Sequence, residues 1–466
     1  MITMPLSNAA KILSANLIND QQNIQFSGIS TDTRTIQKGN LFVALKGEKY
    51  DAHNFIDEAV QNGAAAVLVN RQVKVTIPQL IVSDSLAALG KLAKSWRDQF
   101  HIPFIALTGS NGKTTTKNML GAIFLQAYHN HQDQILFTQG NFNNDIGLPL
   151  TLSRLTANHR VAIIEMGMNH FGELDYLSRL TEPTTALITN IAPAHLEGVG
   201  GNIEGVAKAK SEIFNGLVAD GIAVINADDN FANYLRQLIG QRRSITFGLK
   251  NTAADVHGEL LTSANAKLQT LFRLNYNNQS TDILLNLPGE HNVMNALAAS
   301  AAALANGVSL TDIKIALEKI QPAPGRLQLK QGQQGLRIID DTYNANPESL
   351  KAAMRTLINH QGTTILVLGD MRELGPDAEK LHRECGAFAR DLGINYLFAT
   401  GTLSRETVAA FGQNAFHFVD HEKLINALKQ HALNEKVIML VKGSRSMKME
   451  QVVQAFLMEK STEESH

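Results

Sequence analysis

Apolar residues recur along the chain in two rhythms, short unbroken runs and helical stripes, and the two alternate. Residues 41–45 (LFVAL) and 66–69 (AVLV) read as strands, with a helix-like stretch over 53–62 that Gly63 ends. Leu86, Leu89, Leu92, Ala93 and Trp96 share one face of a helix predicted over 84–100. From residue 104 onward the runs FIAL, VAIIEM (161–166), TALITN (185–190) and AVINAD (223–228) alternate with helical segments. That alternation predicts a parallel sheet with crossover helices. Shorter strand-like runs over 244–287, DILLNL among them, predict an antiparallel extension, and EHNVMNALAASAAALA after Gly289 predicts a helix. QPAPGR (321–326) breaks the pattern. Strands then return at LRIIDD (336–341), TILVLGD (364–370), NYLFAT (395–400) and VIMLVKG (437–443), which predicts a second, smaller doubly wound α/β unit.

These breaks divide the 466 residues into three expected domains, 1–83, 84–320 and 321–466. The formal charge of −1 leaves no basic field to gather nucleic acid by counterion release. No run approaches the roughly 20 apolar residues that cross a bilayer, and no membrane partner is expected. The single cysteine, Cys385, excludes a disulfide framework and fits a reduced compartment, so a cytoplasmic protein is expected.

Candidate chemistry begins at TGSNGKTT (108–115), an apolar strand that stops in a glycine turn and restarts as a helix. Gly109 and Gly112 are separated by two residues, Ser110 and Asn111, where the usual phosphate loop has four. The physics is unchanged: backbone N–H groups converge on one point at a helix N-terminus. Lys113 would meet the β- and γ-phosphates, and Thr114, followed by Thr115, could reach Mg²⁺.

A second oddity lies in VAKAKSEIF. On a helix over 202–218, Ile203, Val206, Ala207, Ile213, Phe214 and Leu217 form one apolar stripe, and Lys210 falls inside it while Lys208 can face water. A buried ammonium is costly. Either Lys210 snorkels or pairs with a carboxylate, or it is a neutral amine that takes up CO₂ as a carbamate, an anion suited to a hard divalent cation. Glu165 and His195 follow the C-terminal ends of two strands, where ligand crevices form in open α/β sheets. With Thr114 and Lys210 they make a candidate magnesium cluster.

The motifs TGSNGKTT, GNFNNDIGLP (140–149), EMGMNHFGE (165–173), NIAPAHLEG (190–198), AKAKSEIF (207–214), GEHNVMNALAA (289–299), PGR (324–326) and DDTYNANP (340–347) together resemble the Mur ligases, which share a central domain with folylpolyglutamate synthetase. The resemblance implies a central P-loop-type parallel-sheet ATPase domain, an N-terminal domain for a UDP-linked substrate and a C-terminal Rossmann-like α/β domain. STDTRTIQKGNLFVALKGEKYDAHNF (30–55), LGDMRELG (368–375) and VKGSRSMKME (441–450) resemble the family member that joins D-Ala-D-Ala to UDP-MurNAc-tripeptide, and so imply those two partners; a monomer is the default expectation. The implied cofactors are ATP and two Mg²⁺ ions. One Mg²⁺ would sit at Thr114, and the second at Glu165, His195 and carbamylated Lys210. Asn292 and Asn295 match the adenine region, and Arg326 and Asp341 the third domain's contacts to the nucleotide. Tyr343 and Asn344 match a dipeptide or ribose contact. Ser30, Thr31, Asp32 and Arg34 match the uridine-nucleotide region, and Asn143 and Asn144 a substrate-facing loop. A sister ligase adding the third residue, and a P-loop nucleotide switch or kinase, are the rival expectations. The third-domain motifs count against the first, and the glycine spacing with the Glu165/His195 region against the second.

Overall fold

The computed structural model describes residues 1–20, 24–48, 50–193, 196–262, 268–431 and 436–457. Three α/β domains follow one another, each built on its own sheet. The first sheet runs in the order Asn16–Ile18, Gln79–Ile81, Ala66–Val69, Leu41–Val43, Ile29–Ser30 and is parallel apart from its first pair. The helix Ser85–Arg97 leads out of it. Asp84 caps that helix by accepting from Leu86 N and Ala87 N at 2.8 and 3.0 Å, so the backbone enters the helix with its orphan donors satisfied.

Among the described residues the central sheet has nine strands. Phe104–Thr108 lies between Val161–Glu165 and Thr185–Ile188, all parallel. Phe104, Ile105, Ala106 and Leu107 are fully buried because helices cover both faces, which explains their unbroken apolar run. Beyond Arg243–Gly248 the sheet continues through Val256–Thr262 and then turns antiparallel at Thr270–Tyr276 and Gln279–Leu285, the extension expected over 244–287. The Ala-rich helix Glu290–Ala305 packs against Lys113–Ala127. Its small side chains let it approach closely enough to set Asn295 beside the glycine turn, with Asn292 accepting from Asn295 Nδ2 at 3.3 Å. The third sheet is parallel apart from the pairing of Gln328–Gln331 with Arg337–Asp341. Among the described residues no helix is long and apolar enough to cross a membrane.

One element differs from expectation. The helix anticipated over 202–218 ends early, as Ile203–Ser211 followed by a 3-10 turn at Glu212–Phe214. Ser211 Oγ bonds back to the Lys208 carbonyl at 2.7 Å, and the carbonyls of Glu212 and Phe214 accept from Asn215 N and Leu217 N three residues on and also from Ser178 Oγ and Arg242 Nη1, so the chain tightens out of the α-helix. The apolar stripe survives the change: Val206, Ala207, Ile213, Phe214 and Leu217 are buried, while Ile203 is half-buried.

Candidate active site

The helix Lys113–Ala127 starts at Gly112 with φ +80° and no side-chain cap, so its first N–H groups are free to meet an anion. Only glycine suits this corner, since a Cβ on Gly112 would lie 2.0 Å from Asn295 Oδ1. The turn is braced from the neighbouring strand end. Asn190 Oδ1 accepts from Asn111 N at 2.9 Å, Thr189 Oγ1 donates to Asn111 O at 2.6 Å, and Ser110 Oγ donates to Ala192 O at 2.8 Å. Lys113 Nζ donates to Gly109 O at 2.6 Å and Ser110 O at 3.4 Å, so its charge lies inside the arc of the loop. Burial lowers the Lys113 pKa; the Glu165 carboxylate opposes that shift and the Arg326 guanidinium reinforces it.

Glu165 is buried at the end of its strand. Thr114 Oγ1 donates to its oxygens at 3.2 and 3.4 Å, Asn143 Nδ2 donates at 3.0 Å, and the Lys117 ammonium pairs with it at 3.2 Å. Lys210 is 1% exposed, and its amine has no hydrogen-bond or ion-pair partner among the described residues. Among the described residues it has no carboxylate to pair with, and at 1% exposure its amine does not reach water. Burial, with Lys113 adding like charge, holds its pKa well below 10.5. Among the described residues no group of three His, Cys, Asp or Glu could hold a metal ion. Thr114 and Glu165 offer oxygens together, while His195 lies outside the described residues.

The third domain closes the opposite wall. Arg326 Nη2 donates to Thr114 Oγ1 at 3.1 Å and its guanidinium lies 4.1 Å from the Tyr343 ring centre. Asn346, which caps the helix Pro347–Ile358, donates to Asn111 Oδ1 at 2.6 Å. Asp341 pairs with Lys442 and accepts from Leu327 N at 3.2 Å; burial raises its pKa, and Lys442 works against that rise. Lys442 also donates to the Asn344 carbonyl at 2.9 Å. One cleft of about 1750 Å³ joins these walls. The loop residues Ser110–Thr115, Asn143, Asn144, Glu165, Lys210, Asn292, Asn295, Arg326, Asp341, Tyr343 and Asn344 line it. Ser30, Thr31, Asp32 and Arg34 stand apart from it in the first domain, where Asp32 and Arg34 are bound to each other.

Sequence reasoning passed over Lys117, Asn190, Asn346 and Lys442. Lys117 had a readable signal, because it stands four residues beyond Lys113 and so on the same helical face. The other three gain their roles only from chain segments brought together by the fold.

Three families match the chain in order: "Mur ligase family, catalytic domain" at 25–97, "Mur ligase middle domain" at 107–303 and "Mur ligase, glutamate ligase domain" at 325–445. UDP-N-acetylmuramoyl-tripeptide–D-alanyl-D-alanine ligase of Haemophilus influenzae is 42% identical over 460 residues, covering 97% of this chain and 98% of its own length. The ligase of the same name from Escherichia coli is 43% identical over 459 residues, covering 98% of both chains. A crystal structure of MurF from Acinetobacter baumannii superposes with a TM-score of 0.89 at 36% identity, covering 97% of this chain and 98% of that one. MurF from Thermotoga maritima in complex with ADP superposes with a TM-score of 0.80 at 26% identity, covering 92% and 97%.

Proposed function

The chain belongs to the Mur ligase family, and from that membership we propose that it joins D-Ala-D-Ala to UDP-MurNAc-tripeptide at the expense of ATP. The products are UDP-MurNAc-pentapeptide, a peptidoglycan precursor, with ADP and phosphate. In this reading the enzyme acts as a monomer in the cytoplasm. The observation that carries it is the meeting, in one cleft, of the phosphate loop, Glu165 and Lys210 with Arg326 and Asp341 of the third domain.

A carboxylate does not acylate an amine in water, because oxide would have to leave. Here the tripeptide carboxylate attacks the γ-phosphorus, ADP departs and an acyl phosphate forms. The amine of D-Ala-D-Ala then attacks the acyl carbon, and the tetrahedral intermediate collapses with loss of phosphate. Attacking carboxylate and phosphate are both anionic, so the first step needs fixed positive charge and aimed N–H groups, which Lys113 and the turn Gly109–Thr115 supply. Thr114, Glu165, His195 and a carbamate on Lys210 are the groups that would hold two Mg²⁺ ions. The carbamate forms when the neutral amine adds to CO₂ and releases one proton. Bound magnesium would neutralise charge on the phosphate oxygens. Asn292 and Asn295 face the adenine, and Ser30, Thr31, Asp32 and Arg34 take the uridine end. Asn143, Asn144, Tyr343 and Asn344 border the acceptor side. Because water hydrolyses acyl phosphates, the wall formed by Arg326 and Asn346 also serves to exclude it.

Phosphate release is expected to require UDP-MurNAc-tripeptide and D-Ala-D-Ala together with ATP. Release with either acceptor alone at the full rate would refute the reading. Arg326→Ala removes a charge-assisted contact at the nucleotide, and ADP affinity measured by calorimetry is expected to fall about tenfold or more. Wild-type affinity would take Arg326 out of the nucleotide site.

A further inference from the structure

Lys117 stands one turn beyond Lys113 on the phosphate-loop helix, and the reaction as described gives it no task. It is 3% exposed, its ammonium lies 3.2 Å from Glu165 Oε2, and it reaches the Gly140 carbonyl at 3.4 Å. An ammonium this deep persists only with a partner. Glu165, equally buried, needs a countercharge as well, and its other contacts, Thr114 and Asn143, are neutral. We propose that Lys117 is a positioning residue for the cation site. It is the built-in countercharge that holds Glu165 before a divalent cation arrives, and it makes cation binding depend on nucleotide. Lys117 already neutralises Glu165, and the Lys113 amine lies in the same loop, so the site offers an arriving cation no free negative charge until phosphates enter. A cation is repelled from such a site when it comes alone and admitted when it comes with the nucleotide. The inference rests on the reading of Glu165 as a cation ligand.

The test is Mn²⁺ binding to the full chain, followed by the paramagnetic resonance of the free ion, with and without ADP. Without ADP, Lys117→Met is expected to bind Mn²⁺ about tenfold or more tightly than the wild type, since one positive charge a few ångströms from the site has gone. Lys117→Arg, which keeps the charge, is expected to match the wild type. Lys117→Gln can still donate to Glu165 and so protects the fold; it is expected to show the same gain as the methionine variant. In EDTA, Lys117→Met is expected to lower Tm, and adding Glu165→Gln to restore it, because no unpaired charge then remains. Wild-type Mn²⁺ affinity in Lys117→Met and Lys117→Gln, alongside weakened binding in Glu165→Gln, would overturn the inference and leave the cation reading standing. An unaffected Glu165→Gln would overturn both.

Discussion

Lys210→Ala is expected to slow ATP-dependent phosphate release by about a thousandfold, and a short carboxylic acid such as acetate is expected to restore part of it. The reasoning starts from packing. Lys210 reaches the cleft from an apolar helix face, is 1% exposed and has no partner among the described residues. Solvated lysine is an ammonium at neutral pH, but burial holds this one well below 10.5, which favours the uncharged form that can add to CO₂. The alanine variant leaves a void that a free carboxylate can enter, bringing the two oxygens that the carbamate would have supplied. Enriched ¹³C-bicarbonate should give a carbamate resonance in the wild type and none in the variant. Ordinary turnover by Lys210→Ala would remove the carbamate from the mechanism. Stability offers an independent readout. In CO₂-free buffer the unfolded chain binds a proton at this lysine below pH 10.5 that the folded chain binds less tightly, so the wild type loses stability as pH falls through that window. Lys210→Met escapes this cost. Its Tm is expected to exceed that of the wild type by a margin that grows as pH is lowered from 10.5.

What the sequence disclosed and what it withheld follow from the range of the interactions. The strands over 104–108, 161–165 and 185–188 were legible because burial on both faces demands unbroken apolar runs. The pairs at Asn16–Ile18 and Gln25–Ser27 were not, because three residues are too short to show a period. The helix Leu310–Lys319 is harder to read than the alanine helix before it, because only Ile313, Ala316 and Leu317 of it are buried. Lys210 stood out by breaking an otherwise apolar stripe, a purely local contradiction. Asn190 and Lys442 break no local rule. Asn190 is an ordinary strand-end residue until the turn at Asn111 arrives 79 positions away in sequence, and Lys442 ends a strand whose partner Asp341 lies 101 positions back. Such roles belong to the fold and leave no mark in a neighbourhood of residues.

The second large effect is expected at Lys113, where Met and Arg should fail alike. The ammonium lies within the turn, held by the Gly109 and Ser110 carbonyls at 2.6 and 3.4 Å, and the turn itself is fixed by Thr189 and Asn190. A compact charge on a flexible stem fits that arc. A guanidinium is planar and broader, and its fork does not fit an arc that holds one ammonium between the Gly109 and Ser110 carbonyls. Arginine therefore restores the charge and loses the position. The backbone N–H groups still bind the remaining phosphates in either variant, so ADP affinity is expected to fall only about tenfold, whereas turnover falls about a hundredfold to a thousandfold as stabilisation of the transferring phosphoryl group is lost. Calorimetry with ADP and steady-state phosphate release separate the two quantities. Equal losses in both would make Lys113 a binding residue alone, and wild-type turnover in Lys113→Arg would show that the turn tolerates a broader cation than its braced geometry allows.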